Sequence, residues 1–365
     1  MRRIYQSALA ILFFATQALA SSFMQGTPDI KAFGSLAFGP DGILFVGDAQ
    51  NATIYAIDLN DKTPNNGTEQ LRVRDIDEKI AGLMGATAKD IQIHDLAVNP
   101  ISQNVYISVT RGNGNDAVQA LLRIVPSGDI EDVSLQNVKY ATKEIVSAVS
   151  ADAKDRRGRS LRSQAITDLA YSSGKLFVAG LSNEEFSSTL RTISYPFDDN
   201  ETVASLEIYH AAHKKYETNS PIRTLMTYTL GNEPHVLAAY TCTPLVTIPI
   251  VQLQNGSHVK GKTVGELGSG NRPLDMIAYK SGGKEYILLA NNNRALMKID
   301  PANIEITEAI TTPVTERYGT RGVPFINTNQ VGVQQLDNLN VDHVIILQRM
   351  SNGSLNLNSL SKDRL

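Results

Sequence analysis

Three acids open apolar runs in the same way: Asp95 in His-Asp-Leu-Ala-Val, Asp168 in Thr-Asp-Leu-Ala-Tyr and Asp275 in Leu-Asp-Met-Ile-Ala, with Ser35 and Thr224 at the equivalent position of two further runs. Carboxylates gathered at equivalent places of a repeat repel one another unless a hard cation, a proton or bonded backbone amides compensate them. One expectation is therefore a Ca²⁺- or Mg²⁺-type divalent cation site, or a polar ring facing a substrate. The structural alternative is that each Asp ties its loop to a neighbour by accepting backbone N–H bonds, as Asp does in turns.

A second constellation is Glu207-Ile-Tyr-His210-Ala-Ala-His213-Lys-Lys-Tyr-Glu217. Two imidazoles three residues apart can meet on one helical turn and hold a transition metal, with Glu217 or Cys242 as further ligands. The spacing lacks the Glu-X-X-His context of a zincin, so solvated or structural histidines are the alternative. A third group is a set of loops dense in amide and charge: Asn183-Glu184-Glu185, Asn291-Asn292-Asn293-Arg294, Gly270-Asn271-Arg272-Pro273 and Thr110-Arg111-Gly112-Asn113. Arg and Asn side chains turned into a concavity suit an anionic or hydroxyl-rich ligand. This marks Asn183, Glu184, Arg272, Asn292, Arg294 and Arg111 as ligand-binding candidates.

These residues sit on a repeated unit. Ala165 to Leu181 reads as two short apolar strands joined by Ser-Ser-Gly-Lys, which supplies hairpin chemistry. The plan recurs at 34–47, 93–109, 222–240 and 274–290, and more distantly at 331–347. Repeats begin near Phe33, Gln92, Ala165, Ser220, Arg272 and Val323, and most hold a third strand and several a fourth. Four antiparallel strands repeated radially make a β-propeller blade. The expected fold is thus all-β, a six-bladed β-propeller of four-stranded antiparallel blades. The last unit stops after three strands, so residues between Ser22 and Ala32 are expected to supply the missing one, an N-terminal strand that closes the ring and removes its free edges. A β-sandwich or two separate domains is the rival arrangement. It is disfavoured because no Pro/Gly/Ser-rich linker splits the chain.

The hairpin Leu-Ala-Phe-Gly-Pro-Asp-Gly-Ile-Leu-Phe-Val-Gly-Asp at 36–48, followed by Ile-Tyr-Ala-Ile-Asp at 54–58, resembles the six-bladed propellers of the NHL-repeat, SMP-30/gluconolactonase and soluble quinoprotein sugar dehydrogenase families. The resemblance covers most of the chain as a repeat pattern. It implies a disc whose strand-opening loops and second-to-third-strand loops share one face, where functional loops gather on a rigid scaffold.

The chain opens with Met-Arg-Arg, an apolar run from Ala8 to Ala15 and Ala18-Leu19-Ala20 before Ser21. This predicts a secretory signal over 1–20, an exported (periplasmic or extracellular) propeller domain over 21–365, and no membrane span once the signal is removed. The segment 147–164, basic and Ser-rich, reads as a loop insertion without a core-forming pattern that should be mobile. It would act as a lid or bind an acidic partner, or else be a solvated excursion. Composition is that of an ordinary globular chain, 42% apolar and 19% charged with formal net charge −3, which gives no footprint for nucleic acid. A single cysteine, Cys242, forbids an internal disulfide, so stability must come from buried apolar surface. Asn51, Asn66, Asn200, Asn255 and Asn352 each open a glycosylation sequon.

No Gly-X-Ser-X-Gly elbow, phosphate loop, dinucleotide fingerprint or c-type haem motif occurs, which disfavours serine hydrolysis, nucleotide chemistry and covalent haem. Two functions remain. One is an exported propeller that binds a small polar molecule or a protein partner on its loop-rich face, with or without a divalent cation. The other is a metal-dependent lactonase-like hydrolase or sugar-dehydrogenase-like oxidoreductase, in which a cation held by some of Asp95, Asp168 and Asp275 polarises a carbonyl or orients a cofactor and a histidine serves as base.

Overall fold

The repeated apolar runs become strands because they are rich in Val, Ile, Leu and aromatic residues and are closed by tight turns. In the third repeat Asp168–Ser172 and Lys175–Leu181 are joined at Ser173 and Gly174, both at positive φ (49° and 77°), the two-residue turn whose twist matches antiparallel strands. The computed structural model describes residues 23–242 and 244–365; the expected secretory signal lies outside the described residues. It shows six sheets, antiparallel apart from one parallel pairing of Glu201–His210 with His258–Lys260, arranged as a six-bladed β-propeller with little helix. The innermost strands, in chain order, are Leu36–Phe38, Ile91–Val98, Asp168–Ser172, Ile222–Leu230, Pro273–Ser281 and Val333–Asn338. Among the described residues no helix is long and apolar enough to cross a membrane.

The blades do not follow one another around the ring in chain order. The second inner strand packs between the first and the sixth, and the first packs between the second and the third. The interfaces carry separate apolar clusters. Leu44, Val46 and Tyr55 of the first blade meet Ala97, Tyr106 and Leu121 of the second. Val98, Ile107 and Ile124 of the second meet Leu347 and Leu357 of the sixth. Phe45 and Ile54 of the first meet Leu169 and Val178 of the third. A buried hub reinforces the first of these seams: the Asp61 carboxylate accepts from Ser102 Oγ (2.6 Å), Tyr106 OH (2.7 Å), Asn104 Nδ2 (2.9 Å) and Asn99 Nδ2 (3.1 Å).

This order explains how the ring closes, and it corrects the expected closure. The fourth strand of the sixth blade is Arg72–Val73, which pairs with Leu355–Ser361, rather than a strand from residues 22–32. Leu71 and Ser359 exchange two bonds there, Leu71 N to Ser359 Oγ and Ser359 N to Leu71 O. Helix Ile76–Met84 follows at once, burying Ile76 and Ile80 in the same cluster, and Asp77 Oδ1 accepts from Leu355 N at 3.0 Å. After the second blade the chain returns, and Val138–Glu144 becomes the fourth strand of the first blade. Met24–Gly26 pairs outside it as a fifth strand of that blade. The two segments flanking the second blade therefore clasp both of its neighbours. The start expected for the last repeat is also shifted: Phe325–Asn327 is the fourth strand of the fifth blade, and the sixth begins at Val333.

The insertion over 147–164 forms no strand, yet it is not free of core contacts as expected. Val149 is buried with the first–third cluster and Ala153 and Leu161 pack against it. Val149 N donates to Leu181 O, and the buried Arg191 guanidinium donates to Val146 O and Ser147 O. The chain then passes so close to Gly180 that a Cβ there would lie 2.0 Å from Ala165 O, which requires glycine.

Closure by Arg72–Val73 makes a specific prediction. Val73 is 1% exposed, and Val73→Asp should cost about 3 kcal/mol or more by burying an unpaired charge. Truncation through Gly26, which removes an outer strand with Met24 49% exposed, should cost clearly less in urea-denaturation midpoints. The reverse ranking would refute this closure.

Candidate functional site

Four of the six inner strands open with a β-bulge, between Ile93 and Asp95, Ile222 and Thr224, Pro273 and Asp275, and Val333 and Gln335. Each bulge inserts one extra residue, His94, Arg223, Leu274 and Gln334, at the axial end of its blade. A bulge bends the strand and re-aims a side chain. Together with Thr167, all four line a central cavity of about 380 Å³.

Asp95, Asp168 and Asp275 line the same cavity, so the structure brings these three residues from separate blades to one place on the axis. They also line an apolar cavity of about 380 Å³ on the other side, between Leu36, Leu96, Leu225, Met276 and Leu336, and so form the constriction between two mouths. Each carboxylate is occupied by backbone. Asp95 Oδ2 accepts from Leu36 N of the first blade at 2.7 Å and Oδ1 from Leu96 N at 2.8 Å. Asp168 bonds Leu225 N of the fourth blade at 2.7 Å and Leu169 N at 2.9 Å. Asp275 bonds Leu336 N of the sixth at 2.8 Å and Met276 N at 2.7 Å. Asp337, which the sequence pattern did not single out because it stands two residues past the equivalent position, does the same for Val98 N of the second blade at 2.8 Å. Four of the six seams are thus stitched at the axis by an aspartate. Among the described residues the oxygens of these acids do not converge into a group that could share one ion.

Desolvation is the largest influence on all four. It pushes Asp168 and Asp337 up to about 6, with the backbone bonds pulling back. Asp95 is raised well above the ordinary carboxylate range by burial and the Asp168 charge, and Asp275 by burial and the Asp95 charge.

On the loop-rich side of the constriction the cavity is polar. It is contiguous with a second space of about 390 Å³ that shares Ser35, Gln92, His94, Thr167 and Arg223. Burial lowers the His94 pKa, which favours the neutral ring. Thr110 Oγ1 donates to Gln119 Oε1 (2.9 Å), so its contact with His94 Nε2 (2.6 Å) must be donated by the imidazole. That tautomer leaves a lone pair on His94 Nδ1. Burial, with repulsion from Arg272, lowers the pKa of Arg223 while the Asp168 charge opposes this. Its buried Nε has no hydrogen-bond partner. Neither residue was singled out from sequence. The available signal was their place directly before Asp95 and Thr224, the bulge position of the repeat.

His210 and His213 do not reach this cavity, which none of their cluster lines. They lie where Glu201–His210, the outer strand of the third blade, turns back into Lys215–Glu217. Glu217 is buried and bridges them: Oε2 meets His210 Nδ1 and Oε1 meets His213 Nδ1, both at 2.8 Å, with Ser220 Oγ also donating to Oε2 at 2.8 Å. Burial raises the Glu217 pKa, but the bonds from His210, Ser220 and His213 outweigh it and hold the carboxyl far below its ordinary range. Neighbouring Glu266 is pushed up to about 7 by burial, with the Ala212 and Ala211 backbone amides offsetting part of that.

Of the amide-rich loops, Thr110, Gly112 and Asn113 line the second space and Pro273 the first, but none of the six candidate residues lines either. Arg272 N donates to Asn292 Oδ1 (2.7 Å) and Asn292 N to Arg272 O (3.0 Å). Arg294 Nη2 donates to Tyr318 O (2.7 Å) and Arg111 Nη1 to Met84 O (2.9 Å). Asn183 N reaches Ser147 O across the insertion, Glu184 N reaches Ser182 Oγ, and both side chains are exposed. Of the six candidates, the structure joins only Arg272 and Asn292.

The chain is, by its fold, a six-bladed β-propeller with a polar axial cavity. No family model matches it, and no curated protein matches it either. Solved structures similar to it include a glucose dehydrogenase, 13% identical at TM-score 0.37, covering 93% of this chain and 99% of that one. YCF48 from Cyanidioschyzon merolae is 8% identical at TM-score 0.39, with 94% and 100% covered. The full extracellular region of plexin A4 is 9% identical at TM-score 0.39, with 93% and 40% covered. At these values the likenesses assign neither a family nor an activity.

The axial acids predict a pH dependence with a definite sign. A carboxyl whose folded pKa is raised binds its proton more tightly when folded, so its contribution is full below the unfolded value near 3.8 and is lost as pH rises through about 6. Relative to Asp168→Asn, the wild type should lose on the order of 1–3 kcal/mol between these limits, read from urea denaturation at a series of pH values. A difference that is flat, or that grows in the wild type's favour with rising pH, would contradict the burial of this acid.

Proposed function

We propose that this protein is an exported β-propeller that binds a small hydroxylated carboxylate in the axial cavity on its loop-rich face. Arg223 carries the reading. Its guanidinium lines the cavity from a β-bulge with a buried Nε that no protein group meets, and a buried donor without a partner costs about 1–3 kcal/mol until something accepts from it. A carboxylate is the acceptor that a guanidinium fork suits. His94 Nδ1 supplies an acceptor for a ligand hydroxyl, and Gln92, Gln335 and Thr167 add neutral polar contacts. The aspartates at the constriction act here as the floor that holds the blades in place, since each already accepts two backbone N–H groups. Export is supported by the basic start, short apolar run and Ala-Leu-Ala of the leader.

A ligand that binds only the folded protein raises the melting temperature by mass action, with the logarithm of its concentration above Kd. Gluconate and related hydroxy acids should stabilise the protein at millimolar concentration, neutral glucose should not, and Arg223→Gln should lose about tenfold or more of the affinity. Stabilisation by hydroxy acids that is unchanged in Arg223→Gln, or none at all, would overturn the assignment.

A further inference from the structure

We infer that His210, His213 and Cys242 form a transition-metal site of the zinc type, separate from the axial cavity, in which Glu217 orients the histidines and does not bind the ion. The ligand-capable atoms of these three residues lie within 4.8 Å of one another, close enough for small side-chain adjustments to bring them around one ion. They come from two blades: the histidines from the turn that leaves the outer strand of the third, the cysteine from the turn between Glu233–Tyr240 and Pro244–Pro249 of the fourth.

Glu217 selects the ring atoms that are left over. It holds Nδ1 of both imidazoles at 2.8 Å, so each presents Nε2 away from the carboxylate. A carboxylate or carbonyl that fixes one ring nitrogen while the other binds metal is the usual support for a ligating histidine. The two rings are brought together, with centroids 3.7 Å apart at 37°.

An independent observation points to a ligand. His210 is 1% exposed, and its Nε2 is buried with no hydrogen-bond partner. In an ion-pair network that served only to hold the turn, a protonated His210 would leave a buried N–H unsatisfied and a neutral one a buried lone pair, each at a cost. Coordination removes that cost. His213 and Cys242 are less buried, which leaves a route for the ion. Two imidazoles and a thiolate suit zinc or copper and not a hard cation, and binding as thiolate releases the cysteine proton.

Co²⁺ is the probe, because it fills zinc sites and its spectrum reports the ligands. Full-length protein stripped by chelator and titrated with Co²⁺ should bind one equivalent, with d–d bands of low coordination number and a thiolate-to-metal charge-transfer band, both abolished by Zn²⁺. Cys242→Ser should remove the charge-transfer band and His213→Ala should weaken affinity at least about tenfold. Both residues are partly exposed, so these variants should keep the wild-type circular dichroism. Glu217→Gln should weaken affinity about 10- to 100-fold yet keep the band, since Glu217 is not a ligand. Arg223→Gln should leave the titration unchanged, which separates this site from the cavity. Failure to bind Co²⁺, or a charge-transfer band that survives Cys242→Ser, would overturn the proposal.

Discussion

The bond from an aspartate on one inner strand to a backbone amide of the next is the contact on which this ring depends. A propeller's blades present their narrowest edge at the axis, where side chains cannot interleave as they do between the faces further out. Asp95, Asp168, Asp275 and Asp337 solve this by giving one oxygen to their own strand and the other to the neighbour, so that four seams are pinned in register. Concentrating acid at the axis has an electrostatic consequence. Burial at the axis raises all four carboxyls, Asp168 and Asp337 to about 6, and neighbouring acid charge adds to the rise at Asp95 and Asp275.

The second constraint is topological. Placing the second blade between the first and the sixth means that the chain must cross the ring's closure twice. It leaves Arg72–Val73 on the sixth blade on the way in and Val138–Glu144 on the first on the way out. Both neighbours of the second blade are completed by its own flanks, so neither can separate without unpairing a strand covalently attached to the second. The Asp61 hub and the Ile76–Met84 helix, both on the inbound segment, secure it on opposite sides of that blade.

The two proposed sites are built in different ways. The axial cavity is built from bulge residues on otherwise regular strands, so its polar side chains stand on rigid elements. The His210–His213–Cys242 cluster is instead built at turns of two adjacent blades, with Glu217 as the buried strut between the rings. Arg272 and Asn292 show the third use of polar residues here: they bond each other's backbone across a loop pair, which explains an amide-rich sequence without any ligand.

Six hairpins of similar pattern, each with a turn and an apolar run too short for a helix, were enough to read the blades and their number, because strand periodicity and turn chemistry are local. The equivalence of Asp95, Asp168 and Asp275 was legible for the same reason, since position within a repeat becomes position around an axis. The ring order and the closure were not legible. A pairing as short as Arg72–Val73 carries almost no local signal, and its partner lies at the far end of the chain. Nor was the cavity lining, because which residue a bulge turns inward depends on how neighbouring strands meet. The tertiary structure likewise separated the imidazoles from the acids: His210 and His213 leave an outer strand, and distance from the axis is set by blade packing rather than by sequence spacing.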